Sequence, residues 1–563
     1  MKPGKLTRLG SNLLPTLHSY QRCWLTSDLT AGLIVAVLIV PQAIAYAFLA
    51  GLPAETGLYA ALLPLLFYAL LGTSPTLAVG PVAIVSLMTL EALSPLATDE
   101  LPLASYASLL ALLVACFLLL FFLIGLGRWT AFISHTVISA FTSAAALIII
   151  LNQIKHFAGI EIPQSDVFFQ PFLSLWQQAD QVNVSALVLG SLMLVLLLAW
   201  PRLVRGSAGK TAPLLVILIG IATSWSLDTP LATVGAIPAG LPDLEWPRAI
   251  SQHWRQINWQ ALLPSAAIIA LIAYLESLSV ATAMALQSNT RLNPNRELLA
   301  LASANMAAAV SQAYPVAGGF GRSMVNQAAG ARSQAAALVT MVMVALVCLF
   351  FSDWFVHLPK AVLAAIIVAA VLPLIKWSDG VHAWHFQRGD GLTWLITFTA
   401  VLLTNAETGI FIGICLSLVL FLKRTSEPHI AEVGRYQDSD HFRNIERHPV
   451  TTSPELLLVR VDENLYFANS QHLQDYVQQR LQQQQDIQHV ILIGSAINHI
   501  DFDGYEGLIR LNKQLQQQQK SLHLAEFKGP VMDQLQHSQL FKQLQPGQIF
   551  FTASEAMRQL GKR

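Results

Sequence analysis

Two ionisable side chains stand in stretches that otherwise read as membrane. Glu276 lies inside the apolar run ALIAYLESLSVA, and Arg322 follows about one helix later in the glycine-broken segment PVAGGFGRSMVNQAAG. An ion in the hydrocarbon interior costs several kcal/mol, so such residues persist only with a partner or beside a water-filled cavity. Discontinuous helices expose backbone N–H groups at mid-membrane depth, where transporters bind their substrates. Carboxylate, arginine and broken helix together point to a charged solute that is bound and moved. Other chemistry finds no support. The chain has no Cys/His zinc set, Ser-His-acid arrangement, phosphate-binding glycine loop or HExxH pattern, so no catalytic residue, metal or cofactor is expected. Its four cysteines (Cys23, Cys116, Cys348, Cys415) lack ligand or redox spacing and read as small apolar residues.

The elements that must position these residues are membrane helices. Hydrophobic residues make up 54% of the chain and charged residues 12%, where a soluble protein carries about a quarter. The balance of 33 basic and 33 acidic residues gives no reason to expect nucleic-acid binding. Apolar segments recur at about 29–48, 57–71, 82–93, 104–124, 131–151, 184–200, 211–227, 261–282, 298–313, 320–331, 334–352, 359–375, 391–405 and 407–423. That is fourteen, and the third and tenth are too short to cross about 30 Å of hydrocarbon alone. With the N-terminus inside, the inner loops hold Arg128, Arg202, Arg205, Lys210, Arg291, Arg296, Arg332, Lys376 and Arg388; the outer loops hold Lys155, Arg248, Arg255 and Lys360. Nine against four follows the positive-inside rule and puts both termini in the cytoplasm. The first apolar segment lies behind a basic stretch and reads as a retained anchor rather than a cleaved signal. With no transit peptide evident, a bacterial inner membrane is expected.

The short segments hold corresponding places in two sets of seven, about 28–227 and 261–424. An odd number of spans per half inverts one half against the other, and paired interrupted segments are the sequence mark of a binding site at the repeat interface. SPTLAVGPVAIVSLM precedes the first short helix and AYPVAGGFGRSMVN the second. Pro81 suits a first helical turn, and Gly80, Gly318, Gly319 and Gly321 keep backbone accessible. Two helix N-termini facing each other present free N–H groups and positive dipole ends, which is an anion site.

Val40–Met88, with IAYLESLSVA, NPNRELLALASANM and YPVAGGFGRSMVNQAAGARS, resembles the SulP family of anion transporters, most closely its sulfate permeases. The resemblance implies a fourteen-span fold with a mobile core and a gate, usually dimeric, that moves a small inorganic anion across a lipid bilayer by an elevator-like alternation. It implies that Val79, Gly80, Ala83 and Ser86 line one side of the anion and Gly319, Phe320, Gly321, Arg322 and Ser323 the other. Gln42 and Tyr46 would reach the same cavity. Glu276 matches the acidic position used by proton- or sodium-coupled members, with the proton the first expectation. Some proton-coupled relatives carry glutamate where this chain has Gln42, and an amide carries no proton, so coupling falls on Glu276. Sulfate fits the motifs best, while bicarbonate, C4-dicarboxylate, chloride or a passive channel remain alternatives. Structural roles stay open too: Arg322 as a cation satisfying helix C-termini, Glu276 as its permanent ion pair.

After Arg424 the chain turns polar and glutamine-rich. LLLVRV, HVILIG, SLHLAEF and QIFF read as strands, separated by helical stretches near 470–483, 504–519, 530–538 and 552–560. The expected layout is a cytoplasmic segment 1–27, a transport domain 28–424, a linker 425–453 and an α/β domain 454–563. VDENLYFANSQHLQDYV and INHIDFDGYEGLIRL resemble the STAS domain. In related antagonists the turn after the central strand carries a phosphorylated serine. Here the turn is Asp501, Phe502, Asp503, Gly504 and offers no hydroxyl, so phospho-switching is not expected. An acidic turn suits a contact with a basic inner loop such as Arg202–Lys210, or with a cytoplasmic partner.

Overall fold

The computed structural model describes residues 20–96, 103–128, 134–160, 176–204, 212–226, 231–247, 257–288, 290–404, 406–437 and 439–561. They fall into two compact units, Met1–Ile414 and Cys415–Arg563.

Each of the fourteen predicted segments holds a helix. The first set is Leu25–Leu49, Ala54–Tyr59 with Leu63–Leu71, Ala83–Leu93, Leu103–Leu123, His135–Asn152, Val184–Leu203 and Ala212–Ser226. The second is Trp259–Ser288, Pro294–Val310, Phe320–Ala328, Ala335–Phe350, Lys360–Val371, Arg388–Leu403 and Ala406–Ser426. Eight spans among the described residues are long and apolar enough to cross a membrane. Hydrocarbon offers backbone groups no partner, so an apolar segment satisfies them within its own helix. Small residues then let helices approach. A Cβ on Gly32 would stand 2.5 Å from the Ala336 carbonyl, and one on Gly57 would collide with that of Ala43. Gly57→Ala is therefore expected to cost ~1–3 kcal/mol, read as a lower thermal unfolding midpoint of the purified protein in detergent.

Among the described residues, the short helices Ile154–Ala158, Trp377–Phe386 and Gln539–Gln543 were not foreseen. Trp377–Phe386 occupies the stretch read as an inner loop, where WSDGVHAWHF mixes aromatic and charged residues too evenly for a membrane span. In the Trp377–Phe386 helix, Asp379 accepts a hydrogen bond from Ser139 Oγ at 2.8 Å, and the Trp377 ring centre stands 5.0 Å from that of Phe398.

The second unit is built on a six-stranded sheet ordered, edge to edge, Phe442–Asn444 (β4), Ile430–Arg435 (β3), Leu456–Val461 (β5), His489–Ile493 (β6), Ser521–Ala525 (β7) and Ile549–Phe550 (β8). Strands β5 to β8 run parallel, whereas β3 pairs antiparallel with β5 and β4 with β3. The 425–453 segment is thus not a linker: it supplies two strands. Its signal is short because Glu432 interrupts the apolar set, yet that carboxylate is buried and paired by Arg480 of the Ser470–Gln483 helix.

His523 on β7 gives this unit a pH dependence. The ring is buried, accepts from Gln548 N at 3.1 Å and lies 3.1 Å from His489. Burial first, and His489 second, push the imidazole from its ordinary 6.5 down to about 4. The folded unit therefore holds the ring neutral while the unfolded chain takes up a proton. Stability from this group is complete above about pH 6.5 and falls by ~3 kcal/mol as pH drops toward 4. Hydrogen exchange of β7 peptides between pH 4 and 7 reads this directly, and His523→Gln should flatten the profile.

Candidate functional site

The two broken segments meet through their backbones. Strand β1 (Val79–Gly80) pairs antiparallel with β2 (Ala317–Gly318), with Val79 opposite Gly318 and Gly80 opposite Ala317. The half-helices Ala83–Leu93 and Phe320–Ala328 start directly afterwards. Their N-cap residues are Val82 and Gly319, and neither start has a side-chain cap. Helical bonding begins with Ser86 N to Val82 O and Ser323 N to Gly319 O. The N–H groups of residues 83–85 and 320–322 thus lack intrahelical acceptors and carry the positive ends of both dipoles.

Local sequence explains the crossing. Gly80 adopts φ +155°, a left-handed geometry that side chains disfavour, with the Arg322 guanidinium and the Ala60 carbonyl beside it. A Cβ on Gly319 would lie 2.8 Å from the Arg322 side chain. Glycine at this point lets the arginine fold back across its own helix start. The buried Arg322 donates from Nε to Ala78 O (2.8 Å), from Nη1 to Pro81 O (2.5 Å) and from Nη2 to Ala317 O (3.0 Å). The acceptors belong to the lead-in strands of both half-helices, not to helix C-termini. Two of its five N–H donors remain beyond these bonds.

Glu276 lies within electrostatic reach of Arg322, as do Tyr46 and Tyr314. Its Oε2 is buried without a hydrogen-bond partner, and no ion pair within 4.0 Å joins it to the arginine. The neighbouring Ser277 accepts from Gly318 N at 2.7 Å, tying the acidic helix to β2. Gln42 lies one turn before Tyr46 on the first helix, next to Pro41, which removes a backbone donor there. Ser86 Oγ donates to Tyr314 Oη at 3.2 Å, and Ser323 Oγ accepts from Ala78 N at 2.8 Å. Val79, Gly80 and Ala83 are buried, whereas Phe320 is 47% exposed and nothing stands within 4 Å of a Cβ built on Gly321. Phe320 and Gly321 are thus the exposed members of the set.

Several residues that fix this geometry were not singled out from sequence. Tyr314 partners Ser86. Asn326 donates to Thr76 O, and Gln334 to Ser74 O and Leu77 O, so the second half clamps the lead-in of the first. Asn305 both donates to and accepts from Val316, fixing the lead-in of the second half-helix. Glu297, fully buried, accepts from Tyr68 Oη and Thr73 N, each at 2.7 Å, from Thr73 Oγ1, and from Ser74 N at 3.2 Å. The available signal was polarity in an Ala/Leu helix; the partners lie more than two hundred positions away.

In the second unit Asp501 caps the Phe502–Gln517 helix, accepting from Gly504 N at 2.7 Å and from Phe467 N at 3.1 Å. A Cβ on Gly504 would lie 2.6 Å from Leu465 O, so the turn requires glycine. Asp503 is exposed. Residues 205–210 of the inner loop expected to meet it lie outside the described residues.

Comparison with known proteins agrees with this architecture. The profile of the sulfate permease family matches residues 25–397, and that of the STAS domain residues 447–556. Sulfate transporter 4.1, chloroplastic, from Arabidopsis thaliana is 36% identical over 514 residues, covering 88% of this chain and 73% of that protein. The murine Solute Carrier 26 family member A9 anion transporter in its inward-facing state superposes with TM-score 0.87 at 21% identity, covering 98% of this chain and 94% of that one. The transmembrane domain of the cyanobacterial bicarbonate transporter BicA superposes with TM-score 0.61 at 22% identity, covering 71% and 98%.

Proposed function

The chain belongs to the sulfate permease family of multi-pass anion transporters, and from that premise we propose that it carries a small oxyanion, sulfate first, into the cell by proton symport. The observation behind this reading is the pair of uncapped half-helix N-termini, joined by β1 and β2, with the unpartnered Glu276 carboxyl oxygen close by. The free N–H groups of residues 83–85 and 320–322 bind the anion, and Arg322 adds positive potential from behind them. An ionised Glu276 opposes the incoming anion. A proton on its carboxyl group removes that opposition, so proton and anion enter together. The half-helices and the strands between them then move as one body against the remaining helices, an elevator-like exchange of access. Sodium is the second choice of coupling ion. Bicarbonate is the second substrate, favoured by the fold shared with BicA. The setting we assign is a homodimer in a bacterial inner membrane, both termini cytoplasmic.

Uptake of labelled sulfate into proteoliposomes under an inward proton gradient tests the reading. Gly321→Leu is the control, because a side chain there enters open space rather than packed atoms. Uptake that depends on the gradient and is lost with Gly321→Leu supports sulfate–proton symport at this site. Movement of bicarbonate or succinate with no movement of sulfate would replace the substrate; no movement of any anion would sink the transport reading.

A further inference from the structure

At one corner of the second unit's sheet, the start of β3, the strand β4 with its following turn, and the end of β5 enclose a cavity of about 360 Å³. Its lining is His429, Arg443, Asn444, Arg447, His448, Arg460 and Asp462. The strand pairing explains why these residues meet. Ile430 is opposite Val461, and Asp462 N donates to His429 O at 3.1 Å. By the two-residue alternation of strands, His429, Arg460 and Asp462 continue the face that carries Ala431, Val433, Leu456 and Leu458. Ala553 and Ala556 of the C-terminal helix pack with that apolar face. Where this apolar packing ends, the polar residues begin.

The charge is lopsided, with three arginines against one carboxylate. Asp462 is already committed: Arg460 grips it through Nε (2.6 Å) and Nη2 (3.1 Å), and His429 Nδ1 lies 2.9 Å away. Although burial works the other way, these hydrogen bonds hold the carboxyl below its ordinary range. Arg443 and Arg447 have no hydrogen bond or ion pair from their guanidinium groups among the described residues. Two cations therefore share a concave site with no counter-charge of their own. Guanidinium forks match the oxygen pairs of tetrahedral oxyanions. Among the described residues no Phe, Tyr, Trp or aliphatic side chain lines the cavity, so nothing there would hold an acyl chain, and the lining favours a compact, highly charged ligand.

We propose that this cleft binds a compact multivalent oxyanion of the sulfate or phosphate class. The site is separate from the membrane site and does not depend on the function assigned to that one. A bound anion would bridge β4 to the end of β5 and stiffen this edge of the sheet.

Hydrogen exchange of the full chain in detergent, at matched ionic strength, tests the proposal. Sodium sulfate and sodium phosphate are compared with sodium chloride and with adenosine triphosphate. Sulfate or phosphate, and not chloride, is expected to slow exchange several-fold in peptides spanning 429–448 and 456–462, and which of the two acts identifies the ion. The protection should vanish in the Arg443→Gln/Arg447→Gln double variant and persist in Gly321→Leu, where the membrane site is blocked. Should the double variant loosen β6, the single Arg447→Gln, in the turn beyond β4, replaces it with the same two outcomes. Equal protection by chloride, or protection that survives the arginine substitutions, overturns the proposal. Protection by the triphosphate alone overturns it as well, in favour of a nucleotide.

Discussion

Glu276→Gln should still bind sulfate yet lose the gain that an inward proton gradient gives. The substitution keeps the size and hydrogen-bonding capacity of the side chain but removes the group able to take and release a proton. With coupling intact, a gradient of one pH unit can raise the accumulation ratio ~10-fold per proton moved, the equivalent of about 1.4 kcal/mol. In the variant the ratio should stay near unity at every imposed gradient, while sulfate exchange at equal pH on both sides continues. Sulfate affinity should also lose its pH dependence and remain at the wild-type low-pH level, because no carboxylate remains to oppose the anion. Accumulation that still follows the gradient in Glu276→Gln would remove the residue from the coupling step. The unpartnered Oε2 motivates the experiment: a purely structural carboxylate would be expected to have both oxygens satisfied, as Glu297 does.

Much of the backbone geometry around the half-helices was legible in the sequence, and the limit was physical. The half-helices were readable because a glycine- and proline-bearing lead-in followed by a short apolar run has no other stable place in a bilayer; the described bounds, Ala83–Leu93 and Phe320–Ala328, lie within a few residues of those expected. Gly80, Gly319 and Arg322 were readable for the same reason: glycine and charge are costly in membrane unless used. The direction of use was not. Arginine at a proposed anion site suggests direct contact with the anion, yet three of its donors go to Ala78, Pro81 and Ala317. Which carbonyls lie within reach depends on the β1–β2 register, and that pairs residues far apart in the chain. Glu297, Asn326 and Gln334 escaped notice because their partners, backbone groups and hydroxyls alike, belong to the opposite half. In the second unit β3 and β4 were hidden for a related reason, since Glu432 reads as a surface residue until Arg480 is placed against it.

Removing Arg322 should do more than weaken anion binding. Arg322→Ala leaves the carbonyls of Ala78, Pro81 and Ala317 without their donor. An unmade buried hydrogen bond costs about 1–3 kcal/mol, so the loss is expected to reach ~3 kcal/mol or more even if water repairs part of it. Transport should fall to background, and the thermal midpoint should fall with it. Arg322→Lys separates the two roles. An ammonium restores the charge, but a single point donor cannot span three carbonyls that the planar guanidinium reaches at once. If the arginine acts chiefly through its field, the lysine variant should recover most sulfate binding while remaining destabilised. If its geometry matters most, binding and stability should stay low together, because the half-helix N-termini would no longer be held in register. Wild-type stability in Arg322→Ala, by contrast, would show that the three carbonyl bonds do not hold the crossing. The adjacent glycine offers an independent check: a Cβ at Gly319 presses on the guanidinium at 2.8 Å. Gly319→Ala should therefore reproduce part of the stability loss with the charge still present, as a staple made by the shape of the arginine predicts.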